Sequence, residues 1–183
     1  MDPVAALRPW PIDIELGEWE YTVPARSAAE WLVAVLDEDG AAIVPGLFNE
    51  TDRAEVFDAY AAGLVASEDL ARASRDVLEA AAGRPWWEAD RLIRGAAHPD
   101  AWAVVSGELV GHGIDLERIS IAAYCNAVYA FAVRNADADA RQRLDFEIRR
   151  LPIGVDPDEL YDADEEERLL MADLTEFEES PEG

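Results

Sequence analysis

The run Arg84-Pro85-Trp86-Trp87-Glu88-Ala89-Asp90-Arg91-Leu92-Ile93-Arg94-Gly95 decides how the rest of the chain is organised. Gly83 before it can close a preceding helix, because glycine takes the left-handed C-terminal position without steric cost. Pro85 suits the first helical position, where its missing N–H would be unpaired anyway. Glu88 falls in the first turn and Arg94 in the last, each complementing the helix dipole. Trp86, Ala89 and Ile93 stand at i, i+3 and i+7 and share one buried stripe. Trp87 points elsewhere, and Arg91, one turn on, is placed to stack over it. Burying one Trp removes ~150–250 Å² from water, roughly 4–6 kcal/mol before entropy is counted. Two adjacent indoles aimed in different directions would bind two neighbouring layers to this short helix.

Upstream, residues 12–23 read Ile-Asp-Ile-Glu-Leu-Gly-Glu-Trp-Glu-Tyr-Thr-Val, a period of two. With Gly17-Glu18 as a two-residue turn, Leu16 faces Trp19, Ile14 faces Tyr21 and Ile12 faces Val23, all on one side. Asp13, Glu15, Glu20 and Thr22 take the other side, with Glu15 opposite Glu20. Like charges across a strand pair cost stability, so that face is either fully solvated or made for a basic partner.

Between hairpin and Trp-Trp helix, Ser27-Ala28-Ala29-Glu30 is a capping box opening a helix that carries Trp31, Leu32, Val35 and Leu36. Residues 41–48 read as a connector containing Pro45-Gly46. Asn49 or Thr51 caps a helix whose Phe57, Tyr60, Ala61, Leu64 and Val65 follow the helical template inward. Ser67 caps another, running to Ala82. Downstream, Pro99 starts a helix with Trp102, Val105 and Leu109 on one stripe, broken at Gly111-His112-Gly113. Ser120 caps the most apolar helix, to about Arg134, with Asn126 its one internal polar residue; apolar nearly all round places it centrally. Asp137 caps a last helix bearing Leu144 and Ile148, stopped by Pro152. The expected fold is mainly α: a single helical domain over 12–151 of about six to seven helices with a small N-terminal β-hairpin. Residues 1–11 form an arm and 152–183 a disordered acidic tail.

The formal charge of −25 argues against nucleic-acid and anionic-membrane partners, both of which select Lys and Arg. All fifteen basic residues are Arg. Residues 152–183 hold thirteen acids and one Arg, too dense a charge to offset ordering by burial. Within that stretch Leu170, Leu174 and Phe177 fall at i, i+4 and i+7; either a short helix forms there on a partner, or the spacing is chance. A single cysteine, Cys125, and an N-terminus without a basic and apolar leader suit a reducing cytoplasm.

Chemistry-bearing constellations are sparse. His98 and His112 stand in loops without a nearby Cys or second His, short of the three or four ligands that zinc needs. Cys125, mid-helix among Tyr124, Val128 and Tyr129, reads as a buried inert thiol. Gly-rich phosphate loops and Gly-x-Ser-x-Gly are absent from the sequence. Neither an enzyme nor a cofactor is expected.

Taken together, several stretches resemble the tail assembly chaperones of long-tailed, siphovirus-like phages of actinobacteria. They are the hairpin Ile14-Glu15-Leu16-Gly17-Glu18-Trp19-Glu20-Tyr21-Thr22-Val23-Pro24, Ala28-Ala29-Glu30-Trp31-Leu32, Ile43-Val44-Pro45-Gly46-Leu47, Gly83-Arg84-Pro85-Trp86-Trp87, Ile114-Asp115-Leu116-Glu117-Arg118-Ile119-Ser120 and Tyr124-Cys125-Asn126-Ala127-Val128-Tyr129. The resemblance implies a non-enzymatic assembly factor in the host bacterial cytoplasm. It would bind the phage tape measure protein, keep it soluble while the tail tube polymerises around it, and be absent from the mature virion. It further implies a programmed frameshift giving a longer form that engages the tail tube protein; homo-oligomerisation stays open. On this reading the candidate partner-binding residues are Trp86, Trp87, Arg91 and Arg94, with Leu170, Leu174 and Phe177 in the tail. An acidic DNA mimic that occupies a basic host protein is the alternative.

Overall fold

Alternating apolar and acidic residues close on themselves as an antiparallel pair, β1 (Ile12–Leu16) and β2 (Trp19–Val23). Ile12 pairs with Val23, Ile14 with Tyr21 and Leu16 with Trp19, the register that the period of two demands. Gly17 turns the chain at φ +63, a region that side chains resist. Ile14, Leu16 and Val23 are buried, and Asp13, Glu15, Glu20 and Thr22 face outward. The computed structural model describes residues 8–17, 19–37, 43–153 and 155.

Eight helices follow among the described residues: α1 (Ala28–Leu36), α2 (Ile43–Leu47), α3 (Glu50–Ala61), α4 (Ser67–Ala82), α5 (Trp86–Ala97), α6 (Pro99–Gly111), α7 (Ile121–Arg134) and α8 (Ala138–Arg149). Their starts follow local chemistry. Ser27 and Glu30 form a reciprocal capping box, the Glu30 carboxylate accepting from the Ser27 N–H at 2.8 Å. Asn49 accepts from the Thr51 and Asp52 N–H groups, Ser120 from Ala123, and Asp137 from Ala140. Gly83 ends α4 at φ +62, as its place in the sequence requires. Two starts shift by one residue: Pro85 is the N-cap of α5 and not its first residue, and Ala66 precedes α4, its N–H held by the Asp69 carboxylate at 3.1 Å.

The Trp-Trp helix is the hub. α5 packs against α1, α4, α6, α7 and α8, while α4 carries β1 on one side and α5 and α7 on the other. Leu92, Ile93 and Ala89 of α5 meet Leu78 and Val77 of α4 and Tyr124 and Cys125 of α7 in one core cluster. The loop between α6 and α7 docks on the start of α1: the Ala28 N–H donates to Ile119 at 2.8 Å and the Ala29 N–H to Leu116 at 3.1 Å.

Three expectations are corrected. Residues 43–47 form a helix where a connector was expected. The Val44 N–H donates to the buried Ser74 Oγ, and the Arg26 and Arg53 guanidinium groups donate to the carbonyls of Pro45, Leu47 and Phe48. Tertiary partners thus satisfy a helix too short to stand alone. Of the stripe expected inward after Asn49, Val65 is buried, but Phe57 is 53% and Leu64 61% exposed, Tyr60 and Ala61 are exposed, and Val56 alone of α3 is buried. The aromatic core role there falls to Phe48, fully buried and packed against Tyr21 with tilted rings, centroids 5.3 Å apart. On α6, Leu109 is buried, Val105 is half-buried and Trp102 is exposed.

The chain divides into two compact units, Met1–Arg149 and Arg150–Gly183. In the second, the Val155 N–H donates to the Pro152 carbonyl at 3.3 Å. The tail beyond residue 155, with Leu170, Leu174 and Phe177, lies outside the described residues.

Candidate partner-binding surface

The helix α5 brings Trp86, Trp87, Arg91 and Arg94 together, but turns most of them toward the protein. The two indoles meet edge to face, centroids 5.9 Å apart and planes at 89°. Trp87 is buried, and Trp86, expected in the buried stripe, is only half-buried. Over Trp86 lies Arg75 of α4, its guanidinium carbon 5.7 Å from the ring centroid. Arg91 donates through Nη1 to the carbonyls of Glu147 (3.0 Å) and Ile148 (2.8 Å), capping α8. Arg94 pairs with Asp90 at 2.8 Å and donates through Nη2 to the Val35 carbonyl at the end of α1. Both arginines thus neutralise carbonyl-rich helix ends, where the macrodipole is negative.

A surface that the sequence did not nominate lies next to them. α5, α6, α7 and α8 enclose a groove of about 520 Å³. Its walls are Leu92 and Ala96, Val104 and Val105, Val128 and Phe131, and Leu144 and Ile148. The rim is closed by an ion pair, Arg134 Nη1 to Glu108 Oε2 at 2.8 Å. Arg134 also lies 5.2 Å over the Phe131 ring, and His112 stacks on the same ring at 5.6 Å. Charge at this end is therefore paired internally, and the groove offers apolar contact. Its sequence signals were the apolar circumference of α7 and the Val105–Leu109 stripe, which place a groove only once α8 is packed beside them.

The N-terminal half of the described chain differs in charge. Described residues 8–82 carry thirteen acids and five Arg, whereas 83–149 carry ten acids and eight Arg. Asp13, Glu15, Glu20 and Asp76 line a second, polar groove of about 1060 Å³ between the hairpin and α4. Burial raises the Asp76 carboxyl above its ordinary pKa, against the pull of Arg72 and Arg75.

Among the described residues no three His, Cys, Asp or Glu gather where they would hold an ion. His98 caps α6, its Nδ1 accepting from the Asp100 N–H at 3.4 Å, and His112 ends the same helix. Cys125 is fully buried, and burial pushes its thiol up to about 12, so no thiolate forms at neutral pH. No described helix is long and apolar enough to cross a membrane. No family model, curated protein or solved structure matches the chain.

Proposed function

We propose that the chain is a tail assembly chaperone of a long-tailed actinobacterial phage, which holds apolar helical stretches of the tape measure protein soluble while the tail tube grows. The observation that carries this reading is the apolar groove between α5, α6, α7 and α8. A long tape measure helix exposes apolar side chains at i, i+3 or i+4 and i+7 before the tube covers it. The groove has room for several such side chains from one helix face, not for a whole helix. Its rim charges are already paired, so it reads apolar shape in preference to charge, as a reversible cover for varied helix segments requires. Net charge of −25 would keep the loaded complex dispersed.

The test is co-expression with the tape measure protein of the same phage, scored as soluble yield and co-purification. The reading expects both to rise. A tape measure that stays insoluble at every expression ratio, with nothing co-purifying, overturns it.

One observation favours the DNA-mimic reading instead: Asp13, Glu15, Glu20 and Asp76 sit on ordered strands and a helix, as phosphate surrogates must. Binding of a basic DNA-binding protein that DNA competes away would select it.

A further inference from the structure

We propose that the face built from α3 and the hairpin turn docks a basic amphipathic segment of a protein partner, at a surface separate from the α5–α8 groove. Phe57, Tyr60 and Leu64 project from α3 and the turn after it, none of them buried. Trp19, itself more than a third exposed, lies by the hairpin turn that approaches the end of this segment: a Cβ at Gly17 would lie 3.5 Å from the Trp19 ring and 3.9 Å from the Leu64 carbonyl oxygen. Phe57 and Tyr60 thus stand outward on a helix that gives the core only Val56, with Leu64 outward in the turn after it and Trp19 outward on β2 beside that turn. Leaving such side chains in water forgoes burial, and contiguous patches of this kind mark interaction sites.

Charge decides the occupant. Glu50, Asp52, Glu55 and Asp58 ride on α3, and Glu20 flanks Trp19 on β2. The one basic residue on α3, Arg53, is turned inward, donating to the carbonyls of Pro45, Gly46 and Phe48. The negative field reaches the inner edge of the patch. There the Tyr21 hydroxyl is held above its ordinary pKa by burial first and by Glu55 and Asp52 next. A second copy of this chain would set the same carboxylates against themselves across a two-fold contact, which repels. The complement of an apolar stripe ringed by acids is an apolar stripe flanked by Lys or Arg. A helix carrying both presents them at the spacing of one face. This inference does not rest on the chaperone reading, since it uses no residue of the groove.

The experiment titrates the full chain with two labelled synthetic helices of about 18 residues, five turns, sharing one Leu stripe and flanked by Lys in one and Glu in the other. Anisotropy should report binding of the Lys peptide alone. Phe57→Ser with Leu64→Ser, which leaves every charge in place, should weaken it by about tenfold without lowering the melting temperature. Glu55→Gln with Asp58→Asn should weaken it several-fold at low salt and less at high salt. Lys-peptide affinity unchanged in the Phe57→Ser, Leu64→Ser pair would mean diffuse attraction to an acidic chain, and overturns the proposal. Equal binding of the Glu peptide, no binding of either, or a wild-type dimer abolished by that pair would each overturn it too.

Discussion

Arg94 of α5 donates through Nη2 to the carbonyl oxygen of Val35, 2.8 Å away at the last turn of α1, while its Nε holds Asp90 at 2.8 Å. One guanidinium thereby joins the central helix to the end of a helix fifty-nine positions earlier in the chain. Arg26, Arg53 and Arg91 do the same for α2 and α8, so a chain poor in positive charge places several of its arginines at helix C-termini.

Arg94→Met keeps the aliphatic stem and removes the donor. A hydrogen bond from a charged donor contributes about 1.5–3 kcal/mol, less where water reaches it, so we expect a loss of about 1–2 kcal/mol in urea unfolding. An unchanged midpoint would show that α1 ends without this contact.

Glu30 gives a pH-dependent test. Burial pushes its carboxyl upward, but hydrogen bonds from Ser27 and Arg26 outweigh this and hold it below its ordinary value. A depressed carboxylate contributes stability above its unfolded pKa and loses it as pH falls through the folded one. Glu30→Gln should therefore be less stable than wild type at pH 7, with the gap closing as acid protonates Glu30. A gap that is constant down to pH 3, about a unit below the ordinary Glu value, would contradict the capping-box geometry.

The orientation of α3 separates two neighbouring residues. Val56→Ala opens the core and should cost about 1–3 kcal/mol, whereas Phe57→Ser should be within about 0.5 kcal/mol of wild type. Helical spacing alone would rank them the other way.

Tyr124 is fully buried, and its hydroxyl has no hydrogen-bond partner among the described residues. Burial raises that hydroxyl to about 12. Tyr124→Phe removes an orphaned polar atom without changing shape, so thermal unfolding should show a neutral or stabilised protein, by up to about 1 kcal/mol. Marked destabilisation would reveal a partner for the hydroxyl.

Local chemistry was legible in the sequence wherever one short segment settles the outcome. The alternation of 12–23 gave the hairpin register, and Ser27, Asn49, Ser120 and Asp137 gave four helix starts. Gly83 gave the end of α4. The Trp-Trp helix was found as the hub, but which indole is buried depends on α4, where Arg75 covers Trp86. Periodicity misled on Phe57, Tyr60 and Leu64 because an apolar stripe looks the same whether it faces the core or solvent. Residues 43–47 were missed because their helix is held by Ser74, Arg26 and Arg53 from elsewhere in the chain. The groove was not legible as a groove, since its walls come from four helices spread over residues 91–148 and only the apolar faces of α6 and α7 showed in the sequence.

Co-purification with groove variants of the full chain tests the proposed role of the α5–α8 groove in holding the tape measure protein. Val104 and Ala132 line the groove yet are exposed, so Val104→Asp with Ala132→Asp should leave the melting temperature within a few degrees of wild type. Wild type should retain the tape measure protein through purification and the double variant should lose it by about tenfold or more, while Phe57→Ser with Leu64→Ser should not. Undiminished co-purification by a folded Val104→Asp, Ala132→Asp protein would contradict that role.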